Sequence, residues 1–211
     1  MNIQLCKISV CSILLLFFLI NYPSSTLGSI SDGRHIMKGR DALLDSNPKA
    51  ALPNFAAIAQ SNPNYINCAE DLCIGIWTYL GRTYHEVGNN QKALESLKKG
   101  KGRHRSDRFN KTYLGLVMAQ TGQTTEGTAE LDAGLKALGA WLSSFAGRGI
   151  TGQYWDPGGN LQKAIADTRN LLQGDKINWD KVNKDVHWLA VNFEEEVRDV
   201  GRDKQDDRGG D

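Results

Sequence analysis

The sequence predicts an all-α fold: a solenoid of about three helical hairpins, followed by a C-terminal helical capping module. Three observations predict it. Apolar residues recur at intervals of three and four along most of the chain, the spacing that gathers them on one face of a helix. The pair Leu80-Gly81 returns thirty-four residues later as Leu114-Gly115. Short breakers, "SNP", "SNPNY", "GNN" and "TGQT", divide the periodic segments at hairpin-like intervals.

The first 28 residues stand apart. "MNIQLCK" carries one lysine and no acid, "ISVCSILLLFFLI" is an apolar run of 13 residues, and "NYPSSTLG" closes with Thr26 and Gly28 at the −3 and −1 places of a cleavage site. This is the plan of a secretory signal peptide (1–28), cut between Gly28 and Ser29. An uncleaved anchor is the alternative, but the run is shorter than the roughly 20 residues a spanning helix needs. The expectation is therefore an exported protein, periplasmic or secreted, with no integral membrane span after cleavage. Cleavage removes Lys7 and leaves 24 basic residues against 24 acidic ones. That balance does not suit a nucleic-acid binder, which usually shows a basic excess.

Cleavage also removes Cys6 and Cys11, leaving Cys68 and Cys73. In an exported chain these form either a local disulfide or two free buried thiols. A helical segment would turn the two in different directions, so a bridge requires an irregular turn.

Helices are expected near 31–45, 48–61, 69–87, 90–103, 107–121 and 124–143, with Asn90 and Thr124 as N-caps. The second hairpin reads Trp77-x2-Leu80-Gly81-x2-Tyr84, then Gly88, Ala93 and Leu97. In the third, Gly115, Gly122 and Leu131 repeat Gly81, Gly88 and Leu97 at the same spacing. The first supplies Gly39, Ala42, Ala51-x3-Phe55 and Pro63, with about eight extra residues before the second, in the "NYINCAEDLC" region. This pattern resembles the tetratricopeptide repeat family over about half of the chain. The resemblance implies a repeat domain over 29–145, with Trp77 packed in the core of its hairpin. It also implies a concave groove lined by the first helix of each hairpin.

By that resemblance the groove falls on Ile36, Arg40 and Leu43, on Thr78, Arg82 and His85, and on Phe109, Thr112 and Leu116. Arg40, Thr78, Arg82, His85, Thr112 and Leu116 are the candidate partner-binding set. They suit a protein or peptide with an acidic element. Alternatively, each arginine pairs with a neighbouring acid such as Asp41 or Glu86. The set departs from the family's carboxylate clamp, since Ile36, Arg40, Phe109 and Tyr113 stand where its Lys, Asn, Lys and Arg belong.

Beyond Leu138 the pattern changes. "AWLSSFAGRGITGQYWDPGGN" reads as an ordered connection anchored by Trp141, Phe145, Tyr154 and Trp155. A short helix with Leu161, Ile165 and Leu172 on one side follows. A long one then carries Trp179, Val182, Val186, Leu189, Phe193, Val197 and Val200. The cap spans 146–200, and 201–211, without an apolar residue, reads as a disordered tail.

The residues offer no catalytic set, cofactor motif or metal site. His35, His85, His104 and His187 form no HExxH or i,i+4 pair. Glu194, Glu195 and Glu196 read as a solvated helix face. The run Lys98–Lys111 holds seven Lys or Arg against one acid. It either follows the helix dipole or forms a docking surface for an anion. "NKT", Asn110–Thr112, is a glycosylation acceptor if the secretory pathway is eukaryotic. The expected function is that of an exported scaffold or adaptor, not an enzyme, binding a protein through its groove. The alternative is an accessory subunit docked through the C-terminal module.

Overall fold

The computed structural model describes residues 30–69, 72–146 and 155–208, so the signal segment and Tyr154 lie outside the described residues. Six helices come in consecutive pairs. The first pair is α1 (Ile30–Leu44) and α2 (Pro48–Ser61), the second α3 (Ile76–Glu86) and α4 (Asn90–Arg103), the third α5 (Arg108–Gln120) and α6 (Thr124–Ala146). Two more follow, α7 (Asn160–Leu172) and α8 (Trp179–Arg208). Each helix packs on the next in sequence, and α8 returns to touch α1 and α5. The chain is thus mostly helical, as expected.

Local chemistry sets the boundaries. Asn47, Asn89 and Asp107 cap α2, α4 and α5, each accepting from a backbone N–H three residues on. The cap of α4 is therefore Asn89 rather than Asn90. Gly88 and Gly122 close α3 and α5 at φ of 83° and 97°, a left-handed conformation that glycine adopts without steric cost. Asp156 accepts from the N–H groups of Leu161 and Gln162, both at 2.9 Å, and so anchors the start of α7.

Inside each pair one contact repeats. A Cβ on Gly39 would strike the ring of Phe55, one on Gly81 the side chain of Leu97, and one on Gly115 the backbone of Leu131. The partner stands sixteen residues after the glycine every time. Absence of a side chain at these three points lets the paired helices come together.

Three expectations need correction. The helix expected from residue 69 begins at Ile76. The residues before it form an antiparallel hairpin, β1 (Ile66–Ala69) and β2 (Leu72–Gly75). Cys68 lies directly opposite Cys73 and is bonded to it, with Cα atoms 4.0 Å apart. The cross-strand link is local, and it competes successfully with helix propagation. Trp77 is half-buried at the rim of its hairpin, donating Nε1–H to the Pro63 carbonyl at 2.7 Å, rather than lying in the core. Residues 201–208, expected to be disordered, continue α8 as helical backbone. Extending a formed helix costs no new nucleus, so this stretch needs no apolar face of its own; 209–211 lie outside the described residues.

The apolar interior has two parts. Ile36, Leu43, Phe55, Ile58, Ile76 and Tyr79 make the first, between α1, α2 and α3. The second joins α4, α5 and α6 to the C-terminal helices, with Trp141 and Trp155 edge to face at 4.9 Å. The close glycine contacts can be tested by adding one methyl group. Gly115→Ala should destabilise the protein by about 1–3 kcal/mol through overpacking. Gly33→Ala, with nothing within 4 Å of the new atom, should instead stabilise it by up to about 1 kcal/mol through helix propensity. Urea melts of the two variants compare them directly; equal effects would refute the close approach.

Candidate functional site

The helix α8 lies across α1, α3 and α5, the three helices along which the groove was expected. Asn183, near the start of α8, accepts from His85 near the end of α3, with 2.7 Å between His85 Nε2 and the amide oxygen. Further along α8, His187 Nδ1 meets Glu86 at 3.1 Å. Phe193 packs edge to face on Phe109 of α5 at 5.2 Å. Glu194 accepts from Arg40 Nε of α1 at 2.6 Å. One helix therefore crosses α1, α3 and α5, running antiparallel to α3.

The electrostatics are built in pairs. Arg82 is buried and donates from Nε to Glu86 at 2.7 Å, one helical turn away. Burial works against both charges, but the Glu86 carboxylate, with Tyr113 nearby, holds the Arg82 guanidinium in its protonated form. Burial alone would raise Glu86, yet Arg82 beside it holds the carboxyl below its usual range. Glu194 is 3% exposed and faces Arg40. Tyr79, fully buried beside them, has its phenol pushed well up by burial.

The six candidate residues do not share one surface. Arg40, Arg82 and His85 do converge where α8 lies. Thr78 borders the same space but donates its hydroxyl to Asp107 at 2.7 Å. Thr112 is turned toward α6, where Gly134 leaves room for it, and its hydroxyl donates to the Arg108 carbonyl. Leu116 is fully buried in the second core. Of the alternatives for the arginines, Arg82 pairs with Glu86 on its own helix, whereas Arg40 meets an acid 154 residues away.

Beside Arg40, Tyr79, Arg82, Phe193 and Glu194 the space left under α8 is about 20 Å³, about what one water molecule occupies, whereas an open cleft of about 320 Å³ remains near the start of α8, among His85, Glu86, Tyr113, Asn183 and His187. On α8, Val182, Val186, Leu189 and Phe193 are buried almost completely. Burial at about 1.5–3 kcal/mol each gives roughly 6–12 kcal/mol as an upper bound. The helix is a structural member, and around Arg40, Arg82 and Glu194 it leaves no room for an incoming peptide.

Two readings of single residues change as well. Glu194, read as part of a solvated face, is buried because Arg40 neutralises it and Phe193 carries it inward. Asn110, the candidate glycan acceptor, is 1% exposed, and its amide donates to Thr78 Oγ1 at 3.0 Å and the Leu97 carbonyl at 3.1 Å. The folded chain does not present that nitrogen. Among the described residues no three His, Cys, Asp or Glu side chains gather as a metal site. No described helix is long and apolar enough to cross a membrane.

Sequence reasoning missed Asp107. It joins three segments by accepting from Gly75 N–H at 2.8 Å, Thr78 Oγ1 at 2.7 Å and Asn110 N–H at 2.9 Å. Its place just before α5, after a run of basic residues, was the available signal. Comparison with protein-family models, curated proteins and solved structures returns no match to the chain.

Burial pushes the Asp107 carboxyl up to about 6 from an ordinary 3.8, against the hydrogen bonds that favour its charged form. A carboxyl with a raised folded pKa contributes stability in full below its unfolded value and loses it as pH rises through the folded one. The window is therefore about pH 4 to 6. Two pKa steps amount to about 3 kcal/mol. Between pH 4 and pH 8 the wild type should lose about that much relative to Asp107→Asn in paired urea melts. A stability difference that does not change with pH would show that the hydrogen bonds cancel burial, and one of opposite sign that they outweigh it.

Proposed function

We propose that this chain is an exported tetratricopeptide-type scaffold, and that it serves another protein as an accessory structural subunit through its outer surface. The observation that carries the reading is the repeated glycine contact. Gly39 on Phe55, Gly81 on Leu97 and Gly115 on Leu131 supply one close approach per hairpin at one spacing. Such hairpins cannot bury their faces alone, and stacked they make binding scaffolds. The Cys68–Cys73 bond supports export, because disulfides persist in oxidising compartments.

The filled groove moves the binding surface. A peptide entering along α1, α3 and α5 would have to expel α8 and its buried side chains, which favours the accessory-subunit reading over the groove adaptor. The apolar face of α8 is also spent inside. What remains for a partner is the outside of the hairpins and the polar side of the C-terminal helices.

Two measurements test this. The intact mass of the protein recovered from its host should correspond to a chain beginning at Ser29; a mass that retains residues 1–28 would replace export of a cleaved chain by anchoring. A tagged full-length chain, cross-linked in its own host, should recover one protein partner in near-stoichiometric amount. Recovery of nothing above background from envelope and secreted fractions would overturn the scaffold reading.

A further inference from the structure

The last turns of α4 and the loop after it carry Lys98, Lys99, Lys101, Arg103 and Arg105, all exposed. The dipole of α4 accounts for one or two cations in its last turn, but not for five within eight residues. Like charges four apart on a helix, as at Lys99 and Arg103, are mildly destabilising. Among the described residues, Lys101 alone of the five has a carboxylate partner, Glu130 at 2.9 Å. Asp107, the single acid between Lys98 and Lys111, is buried and faces Gly75, Thr78 and Asn110 instead. Apart from Lys101, the charge of this ridge thus has no carboxylate partner among the described residues, in a chain whose overall charge is close to balanced.

The ridge is also held in place. Gly100 sits against Trp77 and Asn110, where a side chain would collide. Lys99 Nζ lies 4.7 Å and Arg103 Cζ 5.6 Å from the centre of the Trp77 ring. Trp77 is itself fixed by its hydrogen bond to Pro63. A rigid aromatic under two cations orients them before any partner arrives.

We infer that this ridge, Lys98 to Arg105 with Trp77 beneath it, is the docking surface for an acidic, extended segment of a partner protein. The inference rests on the scaffold reading for its biological setting. Charge complementarity decides the sign of the partner, and geometry decides its shape. At 100° per residue, Lys101, Lys98, Lys99 and Arg103 are spread over about 200° of the helix circumference. A flat anionic membrane meets only part of that arc, while an extended chain follows it around the helix end.

The probe is a fluorescein-labelled peptide of twelve alternating Glu and Asp residues, titrated into the full mature chain and read by anisotropy. Binding should weaken as salt rises from about 50 to about 300 mM. It should fall at least about tenfold, a loss of about 1.4 kcal/mol, in the variant Lys98→Glu, Lys99→Glu, Arg103→Glu, Arg105→Glu. That variant should melt like wild type; if it does not, the corresponding Gln variant takes its place. Binding should also change tryptophan emission in the wild type but not in Trp77→Phe. Equal affinity for the charge-reversed chain overturns the ridge, as does tighter binding of polyphosphate or of phosphatidylglycerol vesicles. Should the cross-linked partner still be recovered with the charge-reversed chain, the ridge falls and the scaffold stands. Should no partner be recovered while the peptide binds as described, the scaffold falls and the ridge stands.

Discussion

The seat of α8 across the first helices is the constraint on which the rest of the structure depends. Three hairpins stacked in a row leave the inner side of α1, α3 and α5 uncovered, with Arg40, Arg82 and His85 among apolar neighbours. Those groups cannot be left in a dry interior without partners, and water in a narrow groove would give up the apolar contacts. A helix with Val182, Val186, Leu189 and Phe193 on one stripe and Glu194 at its edge meets both demands. The apolar residues supply the attraction. Arg40–Glu194, Glu86–His187 and His85–Asn183 fix which part of α8 meets which hairpin. Buried ion pairs are weak sources of stability, and registry is their best-attested use.

Asp107 performs a similar task between the second and third hairpins. Its carboxylate gathers the end of β2, the start of α3 and the first turn of α5. The β-hairpin is thereby fastened from outside by Asp107 and from within by its own disulfide. An insertion that lengthens the spacing between the first two hairpins is accommodated without opening the stack, since α2 still packs on α3.

Most of the helices were legible in the sequence because their ends are written locally, by Asn47, Asn89, Gly88 and Gly122. The β-hairpin was not. "INCAEDLCIG" has apolar residues compatible with either period, and the bond that decides between them joins side chains whose pairing depends on the fold. Arg40, Arg82 and His85 meet under α8 and Thr78 borders that space, because the repeat spacing orients whole helices. Thr112 and Leu116 do not, since α6 and the second core claim them. The occupant of the groove was invisible for a different reason: Arg40 and Glu194 are separated by 154 residues, and nothing near either one announces the other. Even so, Glu194 falls four residues after Ala190 and three before Val197, on the apolar stripe itself. Glu196, three residues after Phe193, borders the other side of the stripe and accepts from the Asp156 N–H, while Glu195 lies opposite. A carboxylate in the position of Glu194 asks for a cation from elsewhere in the chain.

That long span has a consequence for how the chain acquires its structure. The hairpins are local, each closed by a short turn, and can form as soon as their residues are available. The seat of α8 cannot, because closing so long a loop carries the largest entropic cost in the molecule. A chain delivered from its N-terminus therefore spends its assembly with the inner wall of its hairpins bare, and acquires its final cohesion only when the last thirty or so residues arrive. In that interval the unpaired Arg40 and the apolar wall around it are what a chaperone would encounter. A protein truncated before Trp179 would remain in that state permanently.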